Sequence, residues 1–260
     1  MTFFKWSQDQ WHIDRNPCGK IKIPRDKIKK QYRRFAFSDE QLNIIFHAPI
    51  FTGCINDLRG YKRPGSGTPR RHRFWVPLIA LFSGLRLHEI VQLETVDIKK
   101  IDSNYFFSID DGPYNLEKIM ALKNEHAQRL VPVHNELVKI GFLSYLEQIR
   151  SEGHQKLFPH FKMKKIGQKS GLFSVWFNDG LLKSLDAKTE FTTFHSFRHN
   201  FRDATREAEL PPDGITEIGG WSRNQLGPSG HYGNGLSPKT LAKYMKRVRY
   251  PQLDLSHLYE

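Results

Sequence analysis

One stretch, residues 191–202 (Phe-Thr-Thr-Phe-His-Ser-Phe-Arg-His-Asn-Phe-Arg), carries side chains whose types and spacing suit phosphate chemistry. Written as a helix, it sets Phe194, Phe197 and Phe201 at intervals of three and four, an apolar stripe for burial. His195, Arg198 and Arg202 repeat at the same intervals on a neighbouring stripe. A guanidinium forks onto two oxygens of one phosphate, and an imidazole exchanges protons near neutrality. A histidine one turn from an arginine, anchored by phenylalanines, therefore suits a site that grips a phosphate and moves a proton. His-x-x-Arg also occurs on ordinary solvated helices, so the weight falls on its company. In chain order, Arg86, Lys123, Trp221 and Tyr232 are the other polar or polar-tipped residues that break their local pattern.

The elements that must position these residues read as mostly helical. Ser38-Asp39-Glu40-Gln41 predicts a helix start with Ser38 as cap and Gln41 completing a capping box, continuing through Leu42, Ile45 and Phe46. Residues 60–70 read as a mobile basic loop. Trp75, Leu78, Ile79 and Phe82 make a core-facing helix face, which Ser83-Gly84 breaks. A second short helix over 85–93 then carries Arg86 and Glu89. From 96 to 133 the period shifts towards two, predicting antiparallel strands at 96–98, 105–109 and 129–133, with Lys123 at or beside a turn before the last. Helices resume at 134–151, 170–185 and 193–209, the last stopped by Pro211-Pro212. A short helix at 213–220, a glycine-rich loop at 227–235 and a final helix over 237–249 complete the chain. The expected fold class is mainly α with a small antiparallel β-sheet (α+β).

The totals set bounds. At 260 residues the chain can bury a substantial core. A formal net charge of +13 favours a polyanionic partner, nucleic acid before an anionic membrane surface. Two cysteines, Cys18 and Cys54, are too few for a disulfide framework or a four-ligand zinc site, and suit reducing cytosol. The most apolar run, residues 74–87, is interrupted by Pro77 and Ser83-Gly84 and is too short to span a bilayer. Asp110-Asp111 has no aligned third carboxylate to hold Mg²⁺ and reads as a strand-end turn. No Gly-x-x-x-x-Gly-Lys loop for ATP is present.

Five elements, taken together, resemble the tyrosine recombinases (phage integrase family). Gly84-Leu85-Arg86-Leu87-His88-Glu89-Ile90 is similar to the family's first arginine box. Leu122-Lys123-Asn124 with Arg129-Leu130-Val131-Pro132 resembles its β-hairpin lysine. His195-Ser196-Phe197-Arg198-His199 resembles its His-x-x-Arg box, and Gly219-Gly220-Trp221-Ser222 its later His-or-Trp position. Tyr232 then stands as the candidate nucleophile, 11 residues after Trp221, a separation slightly longer than is common in the family. Tyr244 and Tyr250 are rivals, each at a position where an aromatic more often packs.

The resemblance implies a tyrosine-recombinase catalytic domain over residues 36–260. It also implies a basic linker at 18–35 and, at 1–17, the last helix of an amino-terminal core-binding domain. The implied activity is site-specific cleavage and rejoining of double-stranded DNA through a 3′-phosphotyrosine, by several copies assembled on DNA, without metal or ATP. The catalytic set would be Arg86, Lys123, His195, Arg198, Trp221 and Tyr232, with Glu89 holding the Arg86 guanidinium. Arg86 and Arg198 would neutralise the non-bridging oxygens, His195 and Lys123 would carry protons, and Trp221 would donate its indole N–H. The other reading is a DNA-binding accessory protein of the same fold that no longer cuts.

Overall fold

The computed structural model describes residues 3–18, 35–109, 129–161, 168–221 and 235–260. The chain divides into two units, residues 1–33 and 34–260. In the first, helix α1 (Phe3–Asp9) leaves Phe3, Phe4 and Trp6 exposed. The expected basic linker falls almost entirely on residues 19–34, outside the described residues.

The larger unit is built on a helix that the sequence presented as one-sided. Helix α4 (His72–Ser83) buries every residue except Arg73, not only the face of Trp75, Leu78, Ile79 and Phe82. It is enclosed because α3 (Pro49–Thr52), α5 (Leu87–Val91), α6 (Asn135–Lys139) and α9 (Ser196–Glu207) all pack on it. A helix apolar on all sides has no amphipathic seam and belongs at the centre of the core.

Helix α2 (Asp39–Phe46) starts as its sequence predicts. The Ser38 hydroxyl accepts the Gln41 amide at 3.2 Å while the Gln41 side chain accepts the Ser38 amide at 3.0 Å. The loop at 60–70, expected to be mobile, is pinned instead: Cys54 bridges both Pro64 and Gly67 across paired backbone hydrogen bonds.

Strands β1 (Ile98–Ile101), β2 (Asn104–Ile109) and β3 (Arg129–Pro132) form one antiparallel sheet in that order, with Ile98 opposite Phe107 and Phe107 opposite Val131. The first strand begins two residues later than expected, because the Asp97 carboxylate accepts the Glu94 amide and winds 95–97 into a 3₁₀ turn. The predicted helix at 134–151 is two, α6 and α7 (Phe142–Ser151), separated by Ile140 and Gly141. Helix α8 (Gln168–Val175) runs on into a π-helical turn, Trp176–Leu182. Helices α10 (Pro212–Gly219) and α11 (Pro238–Met245) follow, and the tail packs on its own domain: Arg70 donates to the Leu258 carbonyl at 2.8 Å and pairs with Glu260 at 3.0 Å. Among the described residues no helix is long and apolar enough to cross a membrane.

The aromatic stripe of the first motif is buried as expected. Phe194, Phe197 and Phe201 are almost wholly shielded, and Phe194 and Phe197 join Phe37 and Phe177 in tilted or edge-on ring contacts of 4.9–5.4 Å. Helix α9, however, begins at Ser196, so His195 sits at its entrance rather than inside it. The tightest joint is at Gly84, which ends α4 with a φ of +65°. A methyl group there would come within 2.3 Å of the Phe201 ring. Gly84→Ala combines a left-handed backbone cost with overpacking and should lower stability by about 2–4 kcal/mol. Chemical denaturation would measure it, and a loss of only a few tenths would show that α9 does not press on this turn.

Candidate active site

The two arginines of the sequence motifs, 112 positions apart, meet at one carbonyl. Arg86 Nη2 donates to the Gly220 carbonyl at 3.1 Å, and Arg198 Nη2 donates to the same oxygen at 3.3 Å. Arg198 Nη1 also donates to the Gly84 carbonyl at 2.5 Å, so the turn that ends α4 fixes the arginine of α9. Arg86 is not within the second short helix as expected. It is the residue just before α5, extended at φ −72° and ψ 149°, which lets its side chain reach across to Gly220.

Glu89 holds Arg86 in place from one turn into α5. Its carboxylate accepts the Arg86 amide at 2.7 Å and Arg86 Nη1 at 2.7 Å. It also accepts a two-pronged contact from Arg129 on β3, at 2.9 and 3.3 Å. Arg129 Nε donates to the Ile218 carbonyl at 3.0 Å, tying the sheet to the end of α10. Gly220 takes a φ of +61°, and a methyl group on it would strike the Arg129 guanidinium at 2.6 Å. The sequence reading did not single out Arg129 as a site residue. Its signal was there: by strand alternation Arg129 shares a face with buried Val131, where a solvated arginine would not belong.

The electrostatics leave a positive excess. Glu89 is fully buried, and burial by itself would raise its carboxyl. The Arg129 charge and hydrogen bonds, with those of Arg86, outweigh burial and hold it at about 2, down from 4.5. Arg198 has the opposite problem. Burial first, then repulsion from Arg86 and Arg129, pulls its guanidinium down to about 9. It remains charged at neutral pH, but three guanidinium groups face one carboxylate. An anion between Arg86 and Arg198 would relieve that repulsion.

These two arginines open onto a hollow of about 190 Å³, lined by Leu85, Arg86, Ser174, Asn178, His195 and Arg198 among others. That is several times the ~30 Å³ share of one water molecule. His195 is half-buried on its rim, 5.3 Å ring to ring from His199. Trp221 is not in the lining. Its ring lies against Arg198, 4.5 Å from Cζ to the ring centre, with Arg202 at 5.4 Å. Lys123 and Tyr232 lie outside the described residues, as do Asp110-Asp111 and all of the glycine-rich loop but Gly235. The rival tyrosines are elsewhere. The Tyr250 hydroxyl donates to the Leu81 carbonyl at 2.8 Å, and burial raises it well above the usual phenol range, the reverse of what a nucleophile needs. Tyr244 packs against Gly214. Among the described residues no group of three or more His, Cys, Asp or Glu is placed to hold a metal.

No protein-family model matches the chain, and no curated protein matches it either. A solved structure does: the integrase from mycobacterium phage Brujita, with a TM-score of 0.51 over 98% of this chain and 72% of that one, at 17% identity. The chain thus has the fold of that integrase, mostly helical with one three-stranded antiparallel sheet, as the sequence resemblance implied.

The Glu89 carboxyl lies lower in the folded chain than in the unfolded one. Its stabilising contribution is therefore complete above about pH 4.5 and is lost as the pH falls towards about 2. Glu89→Gln strands the buried charge of Arg129 and weakens the hold on half-buried Arg86, and should cost about 3–5 kcal/mol near neutrality. The gap between variant and parent should close across that acid window when denaturation midpoints are followed against pH. A gap independent of pH would show that the charge of Glu89 is not what holds the arginines.

Proposed function

We propose that the chain is a site-specific DNA recombinase of the integrase kind, cutting and rejoining DNA through a 3′-phosphotyrosine. The observation that carries this reading is the meeting of Arg86 and Arg198 at the Gly220 carbonyl, beside a hollow that His195 also lines. The integrase fold and the charge of +13 support DNA as the partner.

In the proposed reaction the Tyr232 oxygen attacks the scissile phosphorus. The bond from phosphorus to the 5′-oxygen breaks, and that oxygen takes a proton from Lys123. His195 accepts and returns the tyrosine proton, which a phenol with an ordinary pKa near 10 does not shed unaided at neutral pH. Arg86 and Arg198 neutralise the non-bridging oxygens as charge builds on the phosphorane, each worth about 3 kcal/mol in the transition state. Trp221 backs Arg198 with its ring face and keeps the guanidinium aimed at the hollow. A 5′-hydroxyl from a second strand then gives its proton back to Lys123 and attacks the phosphorus; the phosphorus–tyrosine bond breaks, and the phenolate recovers its proton from His195. The covalent link preserves the energy of the phosphodiester, so rejoining is balanced without ATP. Exchange between two duplexes needs more than one cutting tyrosine, which places several copies on the DNA.

The test is a duplex nicked beside the cleavage site, so that the 5′-hydroxyl product diffuses away and the covalent complex accumulates. A denaturation-resistant adduct formed by the parent chain and lost in Tyr232→Phe is expected. Arg198→Ala should lose the adduct by about 100-fold or more while DNA affinity stays within a few-fold. Binding without any adduct would favour the accessory protein that no longer cuts. Affinity should also fall steeply with salt, with a logarithmic slope of about −0.9 for each phosphate neutralised; a flat response would remove the polyanion argument.

A further inference from the structure

Of the residues around the hollow, two come from an element that the catalytic scheme does not use. Ser174 is on α8, and Asn178 is on the π-helical turn that continues it. Such widened turns carry a local cost and are often kept where a side chain must be aimed. Helix α8 packs against α5, the helix that follows Arg86, so both residues face the site from a third direction.

Their hydrogen bonds fix which atoms are free. The Asn178 side-chain oxygen accepts the Phe194 amide at 2.8 Å, which orients the amide group and directs its nitrogen the other way. That nitrogen donates to Ser174 Oγ at 2.9 Å. Ser174 Oγ is thus an acceptor towards Asn178, and its own proton must go elsewhere. A serine within a helix ordinarily bonds back to a carbonyl of the preceding turn. Among the described residues the Ser174 hydroxyl donates to no protein acceptor, and the side chain lines the hollow between the two arginines and His195. A hydroxyl donor left over at the wall of a positively charged hollow is complementary to an anion. The same asparagine grips the backbone one residue before His195, so a single side chain orients both the hydroxyl and the turn that presents the imidazole.

We propose that Ser174 is a further phosphate ligand, donating its hydroxyl to the phosphate oxygen held by Arg86 and Arg198, and that Asn178 is the positioning residue that aims it. The proposal deepens the recombinase reading and rests on it for the identity of the anion as a DNA phosphate. Ser174 supplies what the arginines cannot: a neutral donor on another wall, which fixes the rotation of the phosphate in the hollow without adding charge.

The deciding measurement is the affinity of the full chain for inorganic phosphate, read from the shift of its thermal midpoint on titration. Ser174→Ala should bind phosphate about 10-fold more weakly, the loss of one hydrogen bond to a charged group. Its midpoint without phosphate should fall only slightly, by the loss of the Asn178 hydrogen bond, so the affinity is read from the shift relative to that baseline. Ser174→Thr, which keeps the hydroxyl, should restore the affinity. Asn178→Asp keeps an acceptor for the Phe194 amide but cannot donate to Ser174 and sets a negative charge against the anion, so it should weaken phosphate at least as much. Parent-like phosphate affinity in Ser174→Ala, or no phosphate binding by the parent, overturns the proposal. Adduct formation on the nicked duplex reports separately on the recombinase reading. A parent that binds phosphate through Ser174 yet forms no adduct keeps the ligand and loses the enzyme.

Discussion

A carboxylate with no access to water, Glu89, stands where three guanidinium groups approach one another. Taking such an ion out of water costs several kcal/mol, and a buried pair on average only recovers that cost. The return here is geometric. Glu89 accepts from Arg86 at the entrance of its own helix and from Arg129 on the sheet, and Arg129 packs under Gly220 and bonds the end of α10. The carbonyl of that same glycine receives both Arg86 and Arg198. One anionic group thus holds three segments, distant in sequence, at fixed separations. Because it neutralises fewer charges than it gathers, the site keeps an unmet demand for an anion.

The surrounding fold keeps these positions from relaxing. Helix α9 lies so close to the turn at Gly84 that no side chain fits between them, and the Gly84 carbonyl serves as a second acceptor for Arg198. Next to Phe201, Asn200 of α9 exchanges two hydrogen bonds with the backbone of Phe37, at 2.7 and 2.9 Å. The interlocked phenylalanines beneath are the kind of close-packed core that transmits small shifts rather than absorbing them. A guanidinium held this way costs little reorganisation when charge develops on a phosphate, which is the main advantage a protein site has over water.

Much of this was legible in the chain. The capping box at Ser38, the three strands, the buried phenylalanine stripe and the order of the arginine boxes all rest on local spacing, and local spacing is what sequence records. The departures share a cause in tertiary context. Arg86 and His195 were expected inside helices, yet each sits at a helix entrance, where an extended or turning backbone lets the side chain cross to another element. Arg129 was passed over because an arginine in a strand is normally a solvent-facing residue; only its sharing a face with Val131 marked it. The π-helical turn at 176–182 has no local signature in Trp-Phe-Asn-Asp-Gly-Leu-Leu, and Asn178 could not be linked to Phe194 without the packing of α8.

The central claim is that Arg86 and Arg198 grip one and the same phosphate. A double-mutant cycle on the rate of adduct formation, with Arg86→Lys, Arg198→Lys and the pair together, tests it most directly. Two groups acting on one anion should be strongly coupled, so the double variant should lose far less than the product of the two single losses. Losses that simply multiply would mean that the two arginines act independently, and would contradict the account.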